Sequence, residues 1–351
     1  MNNIMYKEMR HYMAIIALLL LGSCAKETNS LVTIDVNHPD QTIEMKASDL
    51  IRDPEYIPLE TNDSCLIRNG ATFYATDDYI VSIARRQIYL FDRRTGRFVR
   101  EIGKAGEGPN DYLMVTQVFP VDNERKTIAA GGAKGLLRYD FEGRLVDRVP
   151  AVPDKFMPDI AEVAPDRFAG YLFNSPEKLL LFNRQGEVIR SFPNYNVSEA
   201  MAMTVPYHSY YRYLDHTNLC EWFNDTIFTV HPEALTPRYV LNRGNYQLTM
   251  ERLAQGENQV LHFPLCTYET DRYLWHEYSL DQKPYLLLYD KRSGKSLLNH
   301  EGALITEDLR QQGKLRLSTI EGQQFVGYIS AEEATTLNEE DNPIIVIGKV
   351  K

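Results

Sequence analysis

The chain has 351 residues, 44% hydrophobic, 25% charged and 11% aromatic, the profile of a folded protein and not of a disordered or collagenous one. Acidic residues outnumber basic ones, 48 to 38, for a formal charge of −10, and no lysine- or arginine-rich block interrupts the sequence. Such a surface repels phosphate backbones, so nucleic acid is excluded from the expected partners.

The first predicted element is an address. Lys7 and Arg10 precede an uncharged apolar run from Tyr12 to Leu21, which ends in Gly22-Ser23-Cys24. A basic start, about ten apolar residues and small residues before a cleavage point describe a secretory signal over residues 1–23. The run is too short to span a bilayer, which needs about 20 apolar residues. Leu21-Gly22-Ser23-Cys24 resembles the lipobox of bacterial lipoproteins, in which the cysteine becomes the acylated first residue; the competing reading is a secreted protein with a chance cysteine at its cleavage site. Several acyl chains hold where one does not, because each buried CH₂ contributes about 0.8 kcal/mol. Residues 24–30 then form a polar tether, and Cys24 anchors the chain to a membrane. Cys65, Cys220 and Cys266 remain, without Cys-x-x-Cys spacing, and read as buried apolar side chains; a Cys220–Cys266 bridge stays open.

Residues 31–351 read as one all-β domain built from a repeat. Ile88–Asp92 is followed by Gly96–Arg100, Leu136–Asp140 by Gly143–Asp147, Leu179–Asn183 by Gly186–Arg190, and Leu286–Asp290 by the weaker Gly294–Leu298. Each is an apolar strand ending in aromatic-Asp/Asn, a polar turn, a glycine and a second strand, the chemistry of a hairpin. The glycines lie 47, 43 and 108 residues apart, so one unit hides in the last interval, over Leu219–Val230 and Arg238–Leu241, without its glycine. Units of this size hold four short strands each, and the length from Tyr56 to the end fits six. The expectation is a six-bladed β-propeller of four-stranded antiparallel blades. Tyr56–Glu60 and Asn342–Ile347 are the candidate strands that close the ring, since an open blade would recruit other chains. Ser330-Ala-Glu-Glu333 has the form of a capping box and predicts one short surface turn.

The chemical signals are sparse. Gly103–Tyr112 is glycine-rich but lacks the ending of a phosphate-binding loop and reads as a connection between blades. No local spacing of His, Cys or Asp predicts a metal, and no cofactor or catalytic residue is predicted. Tyr207-His-Ser-Tyr-Tyr-Arg-Tyr-Leu-Asp-His216, with Trp222 and Trp275-His276, is rich in flat side chains with polar tips. Tyr207, His208, Tyr211, Arg212, Trp222, Trp275 and His276 are the candidate ligand surface, aromatic faces stacking on a sugar or peptide while Arg212 and the histidines supply hydrogen bonds. The competing reading packs these side chains between blades.

Ile57-Pro-Leu-Glu-Thr61, Gly103–Tyr112, Asn224-Asp-Thr-Ile-Phe228, Glu269-Thr-Asp-Arg-Tyr273 and Asn342-Pro-Ile-Ile-Val346 match, in order, segments of a known family. The chain resembles the six-bladed β-propeller lipoproteins abundant in Bacteroides-type bacteria, with blades similar to NHL repeats. Asn110 stands where that family often has glycine, and the unit around Gly294 is degraded. The resemblance implies a propeller on a lipid anchor at the outer membrane, the periplasmic or outer face left open. The functional expectation is a non-catalytic protein that binds a glycan, a peptide or another envelope protein; the alternative is a glycan-active lyase or hydrolase with its site at the propeller axis.

Overall fold

Each repeated hairpin forms the third and fourth strands of an antiparallel sheet, and there are six such sheets. The computed structural model describes residues 31–67, 70–84, 86–112, 115, 119–131, 135–157, 159–172, 175–197, 208–310 and 313–351. Cys24 and Tyr207 lie outside them. Blade 1 runs through Thr72–Ala75, Tyr79–Ala84, Gln87–Asp92 and Phe98–Glu101, and blade 2 through Val121–Asp122, Thr127–Ala130, Leu136–Asp140 and Leu145–Val149. Blade 3 comprises Ile160–Ala164, Arg167–Tyr171, Glu177–Asn183 and Val188–Pro193. Blade 4 comprises His208–Tyr213, His216–Glu221, Asn224–Val230 and Leu235–Asn242, and is the unit without its glycine. Blade 5 follows with Phe263–Glu269, Tyr273–Leu280, Lys283–Asp290 and Lys295–Asn299. The fold is a six-bladed β-propeller.

The turn chemistry explains why the hairpin recurs. The Oδ1 atoms of Asp92, Asp140, Asn183 and Asp290 accept backbone N–H groups two to four residues on. The glycines that follow, Gly96, Gly143, Gly186 and Gly294, all have φ between 70° and 82°. At Gly96 a side chain is excluded twice, by φ and by the Pro58 carbonyl oxygen, 2.0 Å from where a Cβ would sit.

Blade 6 closes the ring from both ends of the chain. Its strands lie in the order Leu304–Glu307, Gly313–Glu321, Gln324–Ile329, Ile344–Val350, Ile51–Pro58, the last supplied by the N-terminal region. Ile345 pairs with Ile57 and Val346 with Tyr56. The buried Asn342 fastens this junction: its side chain donates to the Glu60 and Cys65 carbonyls and accepts the Ile67 N–H. Ser330 accepts from the N–H groups of Glu333 and Ala334, the single turn that the capping box predicts.

Three blades depart from four strands, because the N-terminal region is a strap along their rims. Val32–Asp35 lies beside Leu235–Asn242, and Gln41–Ile43 pairs parallel with Lys295–Asn299. Lys46 then bridges to Thr306, the four-residue helix Ala47–Leu50 follows, and the chain enters the closing strand.

The apolar interior is divided accordingly. Six buried clusters each join two neighbouring blades, such as Tyr74, Val81 and Leu90 with Ile128 and Tyr139, or Phe73 and Ile80 with Val326 and Ile345. Period-two alternation sends side chains of each sheet to its two faces, and each face packs on the next sheet. Cys65 and Cys220 are buried in two of these seams. All three described cysteines, Cys266 included, are free thiols.

Candidate functional site

The first strands of blades 1 to 5 and the second strand of blade 6, Gly313–Glu321, surround the axis, and their C-terminal ends open into a cavity of about 620 Å³. Every blade contributes to its wall: Tyr74 from blade 1, Asp122 from blade 2, Glu162 from blade 3, Arg212 from blade 4, Tyr268 from blade 5 and Glu321 from blade 6. The turns that follow these strands, Asp122–Arg125, Ala164-Pro165, Leu214-Asp215 and Glu321-Gly322, form its rim. This volume lies within the range of small-ligand pockets, and it is a place where loops can vary while the rigid ring holds their bases.

Charge in the cavity is divided between paired and unpaired groups. Glu162 accepts from Arg125 Nη2 at 3.1 Å and from Arg138 Nη2 at 2.8 Å, and Arg138 also donates to Asp147 at 2.6 Å. Asp122 accepts the turn N–H groups of Glu124 and Arg125, with the Arg125 guanidinium at 3.5 Å. Arg212 differs. Its guanidinium carbon lies 4.2 Å from the centre of the Phe119 ring, and it has no ion-pair partner among the described residues. Phe119 holds a backbone φ of +44°, a costly conformation for a bulky side chain and one that marks functional sites. Burial lowers the Arg212 pKa from its ordinary value, against the attraction of Glu321, Asp122 and Glu162. Glu321 of blade 6 is half-buried and has no ion-pair partner among the described residues; burial pushes its carboxyl up to about 7, Arg212 opposing and Asp122 adding to the rise.

The candidate aromatic set is dispersed along the seams. His208 stacks on Tyr171 of blade 3, centroids 3.9 Å apart, with Nε2 3.5 Å from Asp159. The Tyr211 hydroxyl donates to Glu269 between blades 4 and 5 at 3.2 Å. Trp222 donates its indole N–H to the Pro264 carbonyl at 2.8 Å. Trp275 is buried between blades 5 and 6. His276 is fully buried, its Nδ1 3.0 Å from Thr267 Oγ1 and its Nε2 3.3 Å from His262 Nε2. Among the described members of the set, Arg212 carries its polar head into the cavity and Tyr211 touches its wall. Sequence reasoning missed Glu321, Asp122 and Glu162; a sequence signal that could have found them is their shared position near the turn that follows the inner strand of a blade.

The seam histidines have a consequence for acid stability. Burial holds His208 and His276 down to about 3, and His262 is also lowered, by burial and by the His276 and Arg243 charges. The unfolded chain, with imidazoles near 6.5, binds those protons first, so stability falls as pH drops below about 6.5. Glu277 and Glu321, both raised to about 7 by burial, act oppositely: down to about pH 4.5 the folded state holds their protons and gains stability. Three against two leaves a net loss of about one proton between pH 6 and 5, steepening below about 4.5. The double substitution Glu277→Gln/Glu321→Gln should steepen the decline between pH 6 and 5, as measured by denaturant midpoints across that range.

A family model described as a domain of unknown function, DUF4934, matches residues 31–349. The chain belongs to the DUF4934 family. Among solved structures, a protein of Bacteroides fragilis described as exported is similar over 91% of this chain and 99% of its own, with a TM-score of 0.68 at 18% identity. A DUF4221 member from Bacteroides vulgatus is similar over 86% of this chain and 97% of its own, with a TM-score of 0.52 at 13% identity. At these identities the likeness concerns the fold. A comparison with curated proteins finds no match. No helix among the described residues is long and apolar enough to cross a membrane.

Proposed function

We propose that this DUF4934 member is an exported lipoprotein, held to the outer membrane through Cys24, that binds a small polar ligand at the open end of its axial channel. The observation that carries the reading is the convergence of strands from all six blades on one cavity whose wall presents Arg212, without an ion-pair partner among the described residues, over Phe119. A rigid ring that fixes one charged group from each of several blades is pre-organised for binding, which lowers the cost of ordering the site. Glycans and peptides are the ligand classes that fit a wall of tyrosines and charged groups, and another envelope protein could present such a group. The Bacteroides fragilis relative, described as exported, supports the compartment. Two measurements test the proposal. A soluble glycan or peptide that binds the folded form must raise the melting temperature of the chain, and Arg212→Ala should abolish that rise. Cys24→Ala should move the protein from the membrane to the soluble fraction; unacylated mass at Cys24 in membrane-derived protein removes the anchor.

A second reading, a glycan-active lyase or hydrolase at the axis, draws on Glu321, since a cavity carboxyl titrating near neutrality suits proton transfer. Turnover of a polysaccharide that Glu321→Gln abolishes would favour it.

A further inference from the structure

Two charges of opposite sign face this cavity without meeting. Arg212 and Glu321 attract one another across it, but no ion pair within 4.0 Å joins them or gives either another partner among the described residues. The other charges close by are satisfied, Glu162 by Arg125 and Arg138, and Asp122 by its own turn and Arg125. Glu124 and Asp215 sit at exposed turn tips, where water and salt screen them. Arg212 is exposed and Glu321 half-buried, and a ligand that bridged them would give each an ionic partner as it displaced their water.

We propose that the channel mouth takes a small zwitterion, a free amino acid or a short peptide with unblocked ends, its carboxylate on Arg212 and its ammonium on Glu321. This rests on the reading that the channel mouth is a ligand site. A lone anion would gain Arg212 but meet Glu321 and Asp122, and a lone cation would gain Glu321 but meet Arg212. A neutral sugar would cover both charges and leave them without an ionic partner. A zwitterion satisfies both, and the planar guanidinium, seated on Phe119 at 4.2 Å, presents its donors to a carboxylate in a fixed orientation. Tyr74 and Tyr268 supply aromatic surface for a side chain.

The arrangement also sets the pH dependence. Glu321 faces Arg212 from blade 4, Asp122 from blade 2 and Tyr74 from blade 1, while Arg125 and Glu162 face Arg212. Its carboxyl titrates at about 7 in the empty site. An ammonium requires the ionised form, so affinity rises with pH, by roughly fivefold from pH 6 to about pH 7.5, and falls above pH 8 as the ligand's own amino group loses its proton.

The test uses the full chain with three free dipeptides, Ala-Ala, Ala-Phe and Gly-Tyr, and each again as its N-acetyl and its C-terminal amide form. Calorimetry and melting curves should show binding by free dipeptides, weakened at least about tenfold by blocking either end. Glu321→Gln should weaken binding and remove its rise between pH 6 and 7, and Arg212→Ala should remove the preference for a free carboxylate. Because the blocked peptides are tried on the unaltered chain, the outcome does not depend on how the variants fold. Equal binding of free and blocked peptides overturns the inference. Stabilisation by neutral oligosaccharides with none by free dipeptides overturns it while leaving the channel mouth a ligand site, and no response to either class overturns both.

Discussion

Glu269→Ala should lower the unfolding free energy by roughly 3–5 kcal/mol, the cost of stranding buried charges, and the melting temperature by about 6–15 °C. The carboxylate ends the first strand of blade 5 with its side chain wholly excluded from solvent. Arg238 of blade 4 donates to it at 2.6 and 2.8 Å, Lys291 lies at 2.6 Å, and the Tyr211 and Tyr239 hydroxyls donate at 3.2 and 3.0 Å. One anion thus gathers two cations and two phenols across the seam. Burial pushes its carboxyl up, yet the Arg238 and Lys291 hydrogen bonds and charges outweigh that, and its pKa stays below the ordinary value. A carboxylate depressed in the folded state contributes stability above about pH 4.5, lost as pH falls through its folded value. Glu269→Ala should therefore also flatten the acid limb of the stability curve, whereas Glu269→Gln, which keeps a hydrogen-bonding shape, should cost less. Calorimetric melts at pH 7 and pH 4 on both variants check the pair; an alanine variant as stable as the parent would mean the seam repacks without its ion cluster.

The resemblance segment Glu269–Tyr273 therefore has a physical content that inspection of the sequence did not reveal. Its glutamate clamps two blades, and Thr270 accepts the Tyr273 N–H through Oγ1 in the turn that follows. What was legible was local. The Asp or Asn that opens each hairpin and the glycine that follows act within four residues, so they repeat visibly in the chain. What was illegible was made between blades. The strap strands are three or four residues long and pair with residues some 200 to 260 positions away, as Gln41 does with Leu297, so no period announces them. The aromatic run beginning at Tyr207 was visible as composition. Alternation alone does not say that His208 and Tyr211 enter seams while Arg212, one residue on, reaches the cavity. Asp122, Glu162 and Glu321 come together because three blades place the same end of an inner strand at one level, the first strand in blades 2 and 3 and the second in blade 6, a convergence readable only after the six units have been aligned.

The closing strand carries the other large effect. Val346→Pro should remove the backbone N–H of a residue paired on both sides, with Gly327 and with Tyr56. Proline inside a sheet removes a ladder hydrogen bond and belongs at edges and bulges. Val346 is also fully buried in the seam that includes Trp275 and Ile305, so the ring must move where packing is dense. The damage should not stay local. Ile51–Pro58 reaches the ring through this pairing, and Pro58 in turn lies against Gly96 of blade 1. The loop Glu60–Ile67 is tied by Asn342 just before the strand. Releasing the first strand frees the Ile344–Val350 edge and opens blade 6, and exposed edges of this length pair with other chains. The expected result is a cooperative transition well below that of the parent, with dimers and larger species appearing in gel filtration. Val346→Ala, which keeps the N–H and removes two methyl groups, should elute where the parent does and lose roughly 1–3 kcal/mol. A proline variant that remains monomeric with an unchanged melting curve would show that the ring is closed by its seams and not by this strand pair.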